Sequence, residues 1–310
     1  MESSLRFEYG KLSAPPIDDN LLYYYCSMDT FFKIVDSKKI WLRNLLEMND
    51  PSELALHKIN IPDVIYKQYS ENKFKFEYAN KQNEEAMKTL LLPDAFMYSM
   101  GINPIYNNLF FAFCMTNRED ALTQWTTYGD DGRGVCLGFK KVSLQNFQLE
   151  SENFSLQKVQ YYRDYNELAS TLSKMLLDKI RELSGNDSEL KEFAGNLTNN
   201  TVPEWTKYKI KDYSNEEETR LVYHKESNQI ISNIGADEID TKYLSDLKFA
   251  MRGNKLDIHI EVDVSKLGLA TITLGPANDN KIDAIKMYLA QKGFKVERAD
   301  FHRSSIPYRG

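Results

Sequence analysis

Apolar and polar positions along this chain fall into short blocks whose period changes repeatedly between two and about 3.6. The run Asn20 to Cys26 (NLLYYYC) is apolar and aromatic with polar flanks, the pattern of a buried strand. Phe31, Ile34 and Val35 then share one helical face, and Ser27 or Asp29 is available to cap that helix. Lys39 to Arg43 (KIWLR) returns to strand character. Residues 51 to 95 are rich in Lys, Glu and Leu and read as helical, with an irregular middle at IPD. Asn107 to Met115 reads as a central strand, Asp120 to Thr127 as a short helix, and Gly134 to Phe139 as a further strand. Asn166 to Leu183 is charged and helix-forming, and Asn and Gly punctuate the stretch after it, so 141–215 reads as a helical insertion. Strand patterns resume at Thr219 to His224, Asp257 to Val262 and Leu269 to Leu274. Asp279 to Gln291 is predicted as a helix closed by Gly293, and Lys295 to Phe301 as a last strand. Strands set apart by long helical stretches rather than tight hairpins define an α+β class. One domain over 1–310 is expected, with 1–18 as an N-terminal arm and about 54–105 and 141–215 as largely helical insertions.

Composition narrows the function classes. A chain of 310 residues with 42% hydrophobic and 27% charged residues is globular, which excludes whole-chain disorder. A net charge of -6 argues against a generally basic nucleic-acid coat. Lys140-Lys141, Lys207 to Lys211 and Lys292 to Arg298 still leave room for a local basic groove. The three cysteines lack a C-x-x-C pair and the four histidines are scattered, so neither a disulfide framework nor a zinc or His-rich metal centre is expected. The N-terminus lacks a signal-peptide pattern, and the longest apolar run, Leu109 to Met115, is far short of a membrane span. A cytoplasmic protein with no membrane partner is the expectation. Aromatic residues make up 12% against only 14 glycines, which argues against a Gly-rich phosphate cradle and toward Tyr-lined pockets.

Four constellations have chemistry to offer. In Asn215-Glu216-Glu217-Glu218-Thr219-Arg220, an extended chain would project Glu216, Glu218 and Arg220 together at the mouth of a strand. Two carboxylates and a guanidinium there could hold a sugar and stabilise developing positive charge, although the residues alone favour a solvated acidic turn with a surface ion pair. Asn49-Asp50-Pro51-Ser52-Glu53 fits an N-cap, a first-turn proline and a capping box, and alternatively turns Asn49 or Glu53 toward a pocket. Trp125 and Tyr128, three apart on a short helix, form either a packing stripe or a platform for a base or nicotinamide. Tyr23, Tyr24 and Tyr25 alternate faces at the end of the first strand, so only a subset can line a site.

Together these strings resemble an uncharacterised bacterial domain family of unknown function. Its pattern is an aromatic opening strand (LYYYCS), N-D-P-x-E (Asn49 to Glu53), W-x-x-Y (Trp125, Tyr128), G-x-x-x-G-F (Gly134 to Phe139), E-x-E-x-R (Glu216, Glu218, Arg220) and a closing segment at Ser304 to Arg309. More remotely, the layout is similar to the ADP-ribosyltransferase superfamily, with Tyr24 standing where a His is frequent. That resemblance implies a mixed or antiparallel split-sheet core with helical insertions, and NAD as substrate with no metal. It implies Glu218 as the catalytic glutamate and Glu216 as the group orienting or deprotonating an acceptor. Tyr25, Trp125 and Tyr128 would wall the nicotinamide, and Tyr24 and Asn49 would also bind NAD, Tyr24 at the position that usually contacts the adenosine-side ribose, with Arg220 or Arg43 on the pyrophosphate. A toxin or phage-defence effector modifying a protein or nucleic acid, held in check by an antitoxin or other regulatory partner, is the implied setting. Three alternatives stand beside it: an NAD glycohydrolase, a metal-dependent nuclease using Asp50, Glu53, Glu216 and Glu218, and a non-catalytic binding module.

Overall fold

The computed structural model describes residues 20–48, 108–151, 153–164, scattered positions from 166 to 182, 206–226, 244–295 and 301–308. The expected arm at 1–18 and the stretch 54–105 lie outside the described residues, as do Asn49, Asp50 and Glu53.

The opening unit forms as its pattern predicts. Strand β1 (Leu21–Cys26) leads into helix α1 (Met28–Ser37), whose N-cap Ser27 accepts a hydrogen bond from the Thr30 amide at 3.2 Å. Strand β2 (Lys39–Asn44) comes next. The later elements are β3 (Asn108–Thr116), α2 (Leu122–Thr127), β4 (Val135–Lys140), α3 (Lys141–Gln148), β5 (Phe154–Lys158) and β6 (Gln160–Tyr162). The chain continues through β7 (Tyr208–Ile210), β8 (Glu218–Glu226), β9 (Leu247–Arg252), β10 (Lys255–Asp263), β11 (Leu269–Leu274), α4 (Ile282–Gln291) and β12 (Phe301–Arg303).

Ten strands form one mixed, mostly antiparallel sheet in which β11 and β12 are a parallel pair, and β6 and β7 make a separate parallel pair. The α+β class is therefore the observed one. The sheet forks at β3. Strand β8 occupies one edge of β3 along its whole length, from Asn108↔Glu226 to Thr116↔Glu218. The other edge is shared end to end, by β2 at Phe111 and Ala112 and by β1 at Thr116. One arm then runs β1-β4-β11-β12 and the other β2-β10-β9.

Two expectations are corrected. Gly253 and Asn254 form a two-residue hairpin turn between β9 and β10, with Arg252 opposite Lys255, so tight turns are present. Gly-Asn between two alternating runs is the local chemistry such a turn requires. Within 141–215, Phe154–Lys158 is not helical but pairs with β8 along Leu221 and its neighbours, because Leu156 and Gln157 complete that strand's free edge.

Both faces of the sheet are covered. Leu22, Phe113, Leu137, Leu221 and Ile260 pack with α1, α3 and α4 through Phe31, Leu144 and Ile285. On the opposite face Leu21, Tyr23, Tyr25 and Cys136 pack on Trp125 of α2 and Ile306 of the C-terminal segment. Gly134 shows how closely the chains approach here: a Cβ on it would lie 2.1 Å from the Cys26 carbonyl oxygen and 2.7 Å from that of Gly129. Both obstacles are backbone, so Gly134→Ala is expected to cost about 1–3 kcal/mol or more, read as a lowered urea midpoint at unchanged slope.

Candidate functional site

The residues with most chemistry gather where β8 begins. The chain reaches that point through β7 and a 3-10 helix at Lys211–Glu216, and Glu217 turns it with left-handed dihedrals (φ 44, ψ 48). Glu216 therefore precedes the strand, and only Glu218 and Arg220 share a face by strand alternation. The extended reading of 216–220 fails at Glu217, yet both glutamates still arrive at one place. A buried lysine on β7 collects them.

Lys209 places its Nζ 2.7 Å from Glu216 Oε2 and 3.3 Å from Glu218 Oε2. The same ammonium lies 4.6 Å from the centre of the Tyr213 ring. Arg220 meets Glu218 with both prongs, Nε to Oε1 at 2.7 Å and Nη2 to Oε2 at 3.0 Å, and its Nη1 donates to the Thr206 carbonyl at 3.0 Å. Such a fork is the strongest common ion-pair geometry. Tyr128, at the C-cap of α2, donates its hydroxyl proton to Glu216 Oε1 at 2.5 Å. The amide of Glu218 donates to the Tyr161 hydroxyl at 2.9 Å. The result is a neutral set of two carboxylates and two cations, closed on one side by Arg220 (1% exposed) and Glu218 (5%). The Glu216 side chain, at 16%, is the member open to solvent.

Burial alone would raise the Glu218 pKa, but the Arg220 charge and hydrogen bonds, helped by Lys209, outweigh it and bring it down to about 2. A folded-state value below the ordinary 4.5 means that Glu218 stabilises the fold above pH 4.5 and ceases to do so as pH falls toward about 2. The stability gap between wild type and Glu218→Gln is accordingly expected to be widest above pH 4.5 and to shrink toward pH 2, measured as urea midpoints across that window. Burial, then the hydrogen bond and charge of Glu216, push the Tyr128 hydroxyl well above its usual range, so it remains a donor.

The other sequence candidates are placed elsewhere. Tyr25 and Trp125 do meet, edge to face with ring centres 4.7 Å apart. Trp125 is wholly buried and its indole donates to Asp120 Oδ1 at 2.8 Å, so its ring is a core element and offers no free face. The Tyr25 hydroxyl donates to the Arg118 carbonyl and accepts from the Ala121 amide, at 3.0 and 3.1 Å, which fixes the loop into α2. Trp125 and Tyr128 do not share a face, because the helix ends between them and Tyr128 turns outward. Tyr24 points into the main core against Phe113, with ring centres 4.7 Å apart. Arg43 lies on the other arm of the fork, where it pairs with Asp257 at 3.2 Å. The Arg220 guanidinium is committed to Glu218 and Thr206. Asn49 lies outside the described residues.

Lys209, Tyr161 and Thr206 join the site without a sequence motif to mark them. The nearest signal is the string KYKIK, one of the stretches that could supply a basic groove; instead Tyr208 and Lys209 are both buried, on opposite faces of a three-residue strand. Among the described residues, no group of three or more His, Cys, Asp and Glu side chains is placed to hold a metal ion, and no helix is long and apolar enough to cross a membrane.

Residues 124–221 match a family whose description is "Protein of unknown function (DUF2971)". The matched stretch contains Lys209, Glu216, Glu218 and Arg220, the charged members of the cluster, together with Tyr128, Tyr161 and Tyr213. It also contains the W-x-x-Y, G-x-x-x-G-F and E-x-E-x-R strings, while the opening strand and the closing segment lie outside it. No curated protein matches the chain. No solved structure matches it.

Proposed function

We propose that the Glu216–Lys209–Glu218 cluster is the reaction centre of an ADP-ribosyltransferase-like enzyme that uses NAD as substrate. The observation that carries this reading is a carboxylate pair held by one buried ammonium beside the forked end of β3, with one carboxylate open to solvent. Breaking the bond between nicotinamide and ribose leaves positive charge on the sugar, and ionised carboxylates stabilise that charge as it develops. Glu218 is kept ionised by Arg220, and Glu216 is the carboxylate that a ribose hydroxyl can reach.

The roles follow from that asymmetry. Glu216, oriented by the Tyr128 hydroxyl, contacts the sugar or the acceptor. Glu218 acts through Lys209, holding its ammonium between the carboxylates, and is a positioning residue. Arg220 locks Glu218. In the reaction the electron pair of the broken bond leaves with neutral nicotinamide. The acceptor then bonds to the sugar carbon, and its proton passes to the Glu216 carboxylate. Tyr128, Tyr161 and the half-buried Tyr213 are aromatic groups beside this point, in place of the buried Trp125 and of Tyr24, which packs against the main core. The acceptor is a protein or nucleic acid.

Incubation of the purified chain with NAD labelled in its adenylate half, in the presence of a cell extract, tests this. Label retained on macromolecule is the expected outcome. Label recovered wholly as free ADP-ribose assigns the same centre to a glycohydrolase with water as acceptor. Intact NAD after exhaustive incubation contradicts the reading.

A further inference from the structure

A second feature lies on the opposite face of the sheet, and it does not depend on the carboxylate cluster. Glu218 and Arg220 project to the face that carries Tyr23, whereas Leu221 and Tyr223 of the same strand enter the main core with α1 and α4. Where α1, α4 and β4 end and β11 begins, they enclose an open cavity of about 480 Å³. That is within the size range of small-molecule sites, roughly 300–1,000 Å³.

Three lysines line the cavity: Lys38, Lys140 and Lys295. Among the described residues none of the three has a carboxylate partner, while the neighbouring lysines do. Lys39 pairs with Asp263 at 3.5 Å, Lys292 with Asp36 at 2.6 Å and Lys266 with Glu150 at 2.7 Å. Among the described residues that line the cavity the one acid is Asp263, and it is already engaged. Besides Lys39, its Oδ1 accepts from the amide and hydroxyl of Ser265 at 2.9 and 2.7 Å. The floor is apolar, formed by Val264, Leu269, Ile272 and Phe294. Two of the three basic strings seen in the sequence thus meet here through Lys140 and Lys295.

Lys38 adds an independent argument. It ends α1 in the left-handed region (φ 57, ψ 25), where glycine is favoured and a side chain is strained. Its amine reaches back over Gly293, lying 3.6 Å from where a Cβ on that glycine would sit. A strained position that keeps a long cationic side chain aimed at a cavity lip is explained by the work of the side chain, not by the backbone.

We infer that this cavity binds a small organic phosphate, with the phosphate on the three lysines and an apolar or aromatic body on the floor. The test is calorimetric titration of the full chain with ADP and, separately, with inorganic pyrophosphate. The expected result is saturable ADP binding that weakens with added salt, with pyrophosphate at least tenfold weaker because it leaves the apolar floor unfilled. Lys38→Gly combined with Lys295→Gln is expected to weaken this binding tenfold or more. Lys38→Gly relieves the left-handed strain, so its unfolding temperature should be held or raised, which separates lost binding from lost folding. Glu216→Gln should leave this binding event intact. Absence of saturable ADP binding, ADP binding unchanged in the lysine variants, or pyrophosphate as tight as ADP would each overturn the inference. The lysine variants, unlike Glu216→Gln, should leave nicotinamide release from NAD unchanged, which separates this site from the carboxylate cluster.

Discussion

Replacing Arg220 by alanine is expected to lower the free energy of unfolding by about 3–5 kcal/mol, the usual cost of leaving one member of a buried ion pair behind. Arg220 is 1% exposed and supplies both prongs to Glu218 and a third donor to the Thr206 carbonyl. Without it Glu218 loses both prongs of its fork while remaining 5% exposed, with the shared ammonium of Lys209 at 3.3 Å. The unfolding temperature should fall by roughly 10 °C. The exposed pair of Arg118 and Glu217, at 3.0 Å, is the natural control: Arg118→Ala should cost about 1 kcal/mol or less. A double variant, Arg220→Met with Glu218→Met, should recover most of the loss, because it removes the charge that the single variant strands. If Arg220→Ala melts as wild type does, the pair is not buried as described.

Glu216→Gln is expected to behave in the opposite way, with a small effect on stability and a large one on chemistry. The Glu216 side chain is 16% exposed, and Lys209 retains Glu218 when the first carboxylate is neutralised. The amide can still accept from Tyr128, so the fold should lose about 1 kcal/mol. Nicotinamide release should fall at least ~100-fold, since a neutral amide can neither stabilise developing positive charge nor take the acceptor's proton. The contrast between the two variants distinguishes a structural ion pair from a reacting group within the same network.

Much of this architecture is legible in the sequence where the signal is local. The opening strand, helix and strand come from the aromatic run, the Ser27 cap and the spacing of Phe31, Ile34 and Val35. The strand at Val135–Lys140 and the helix that begins at Ile282 are equally local. Strand β5 is hidden because Phe154 to Leu156 are only half-buried: its main bond is to the edge of β8, which no periodicity within FSLQK reveals. The β9–β10 hairpin is hidden for another reason, since its turn signal is present and its exposed Phe249 and Met251 obscure the alternation.

The candidate site divides along the same line. Glu216, Glu218 and Tyr128 are readable as a motif, and the structure brings them together through a single lysine. Lys209 is not, because a positive charge seven residues before one glutamate and nine before another has no regular spacing to announce it. Its burial depends on the β6–β7 pairing and on the left-handed turn at Glu217, both of which are tertiary facts. Trp125 is readable as an aromatic of interest, but its role is not. Only packing against Tyr25 and the bond to Asp120 make it core rather than platform.

The most direct measurement is nicotinamide release from NAD by the wild-type chain and by Glu216→Gln, run side by side on proteins with matched unfolding temperatures. The expected result is release by wild type, with or without an added acceptor extract, and at least a ~100-fold lower rate in the variant. Equal rates in the two proteins, or no release by folded wild type, would contradict the assignment of the Glu216–Lys209–Glu218 cluster as a reaction centre.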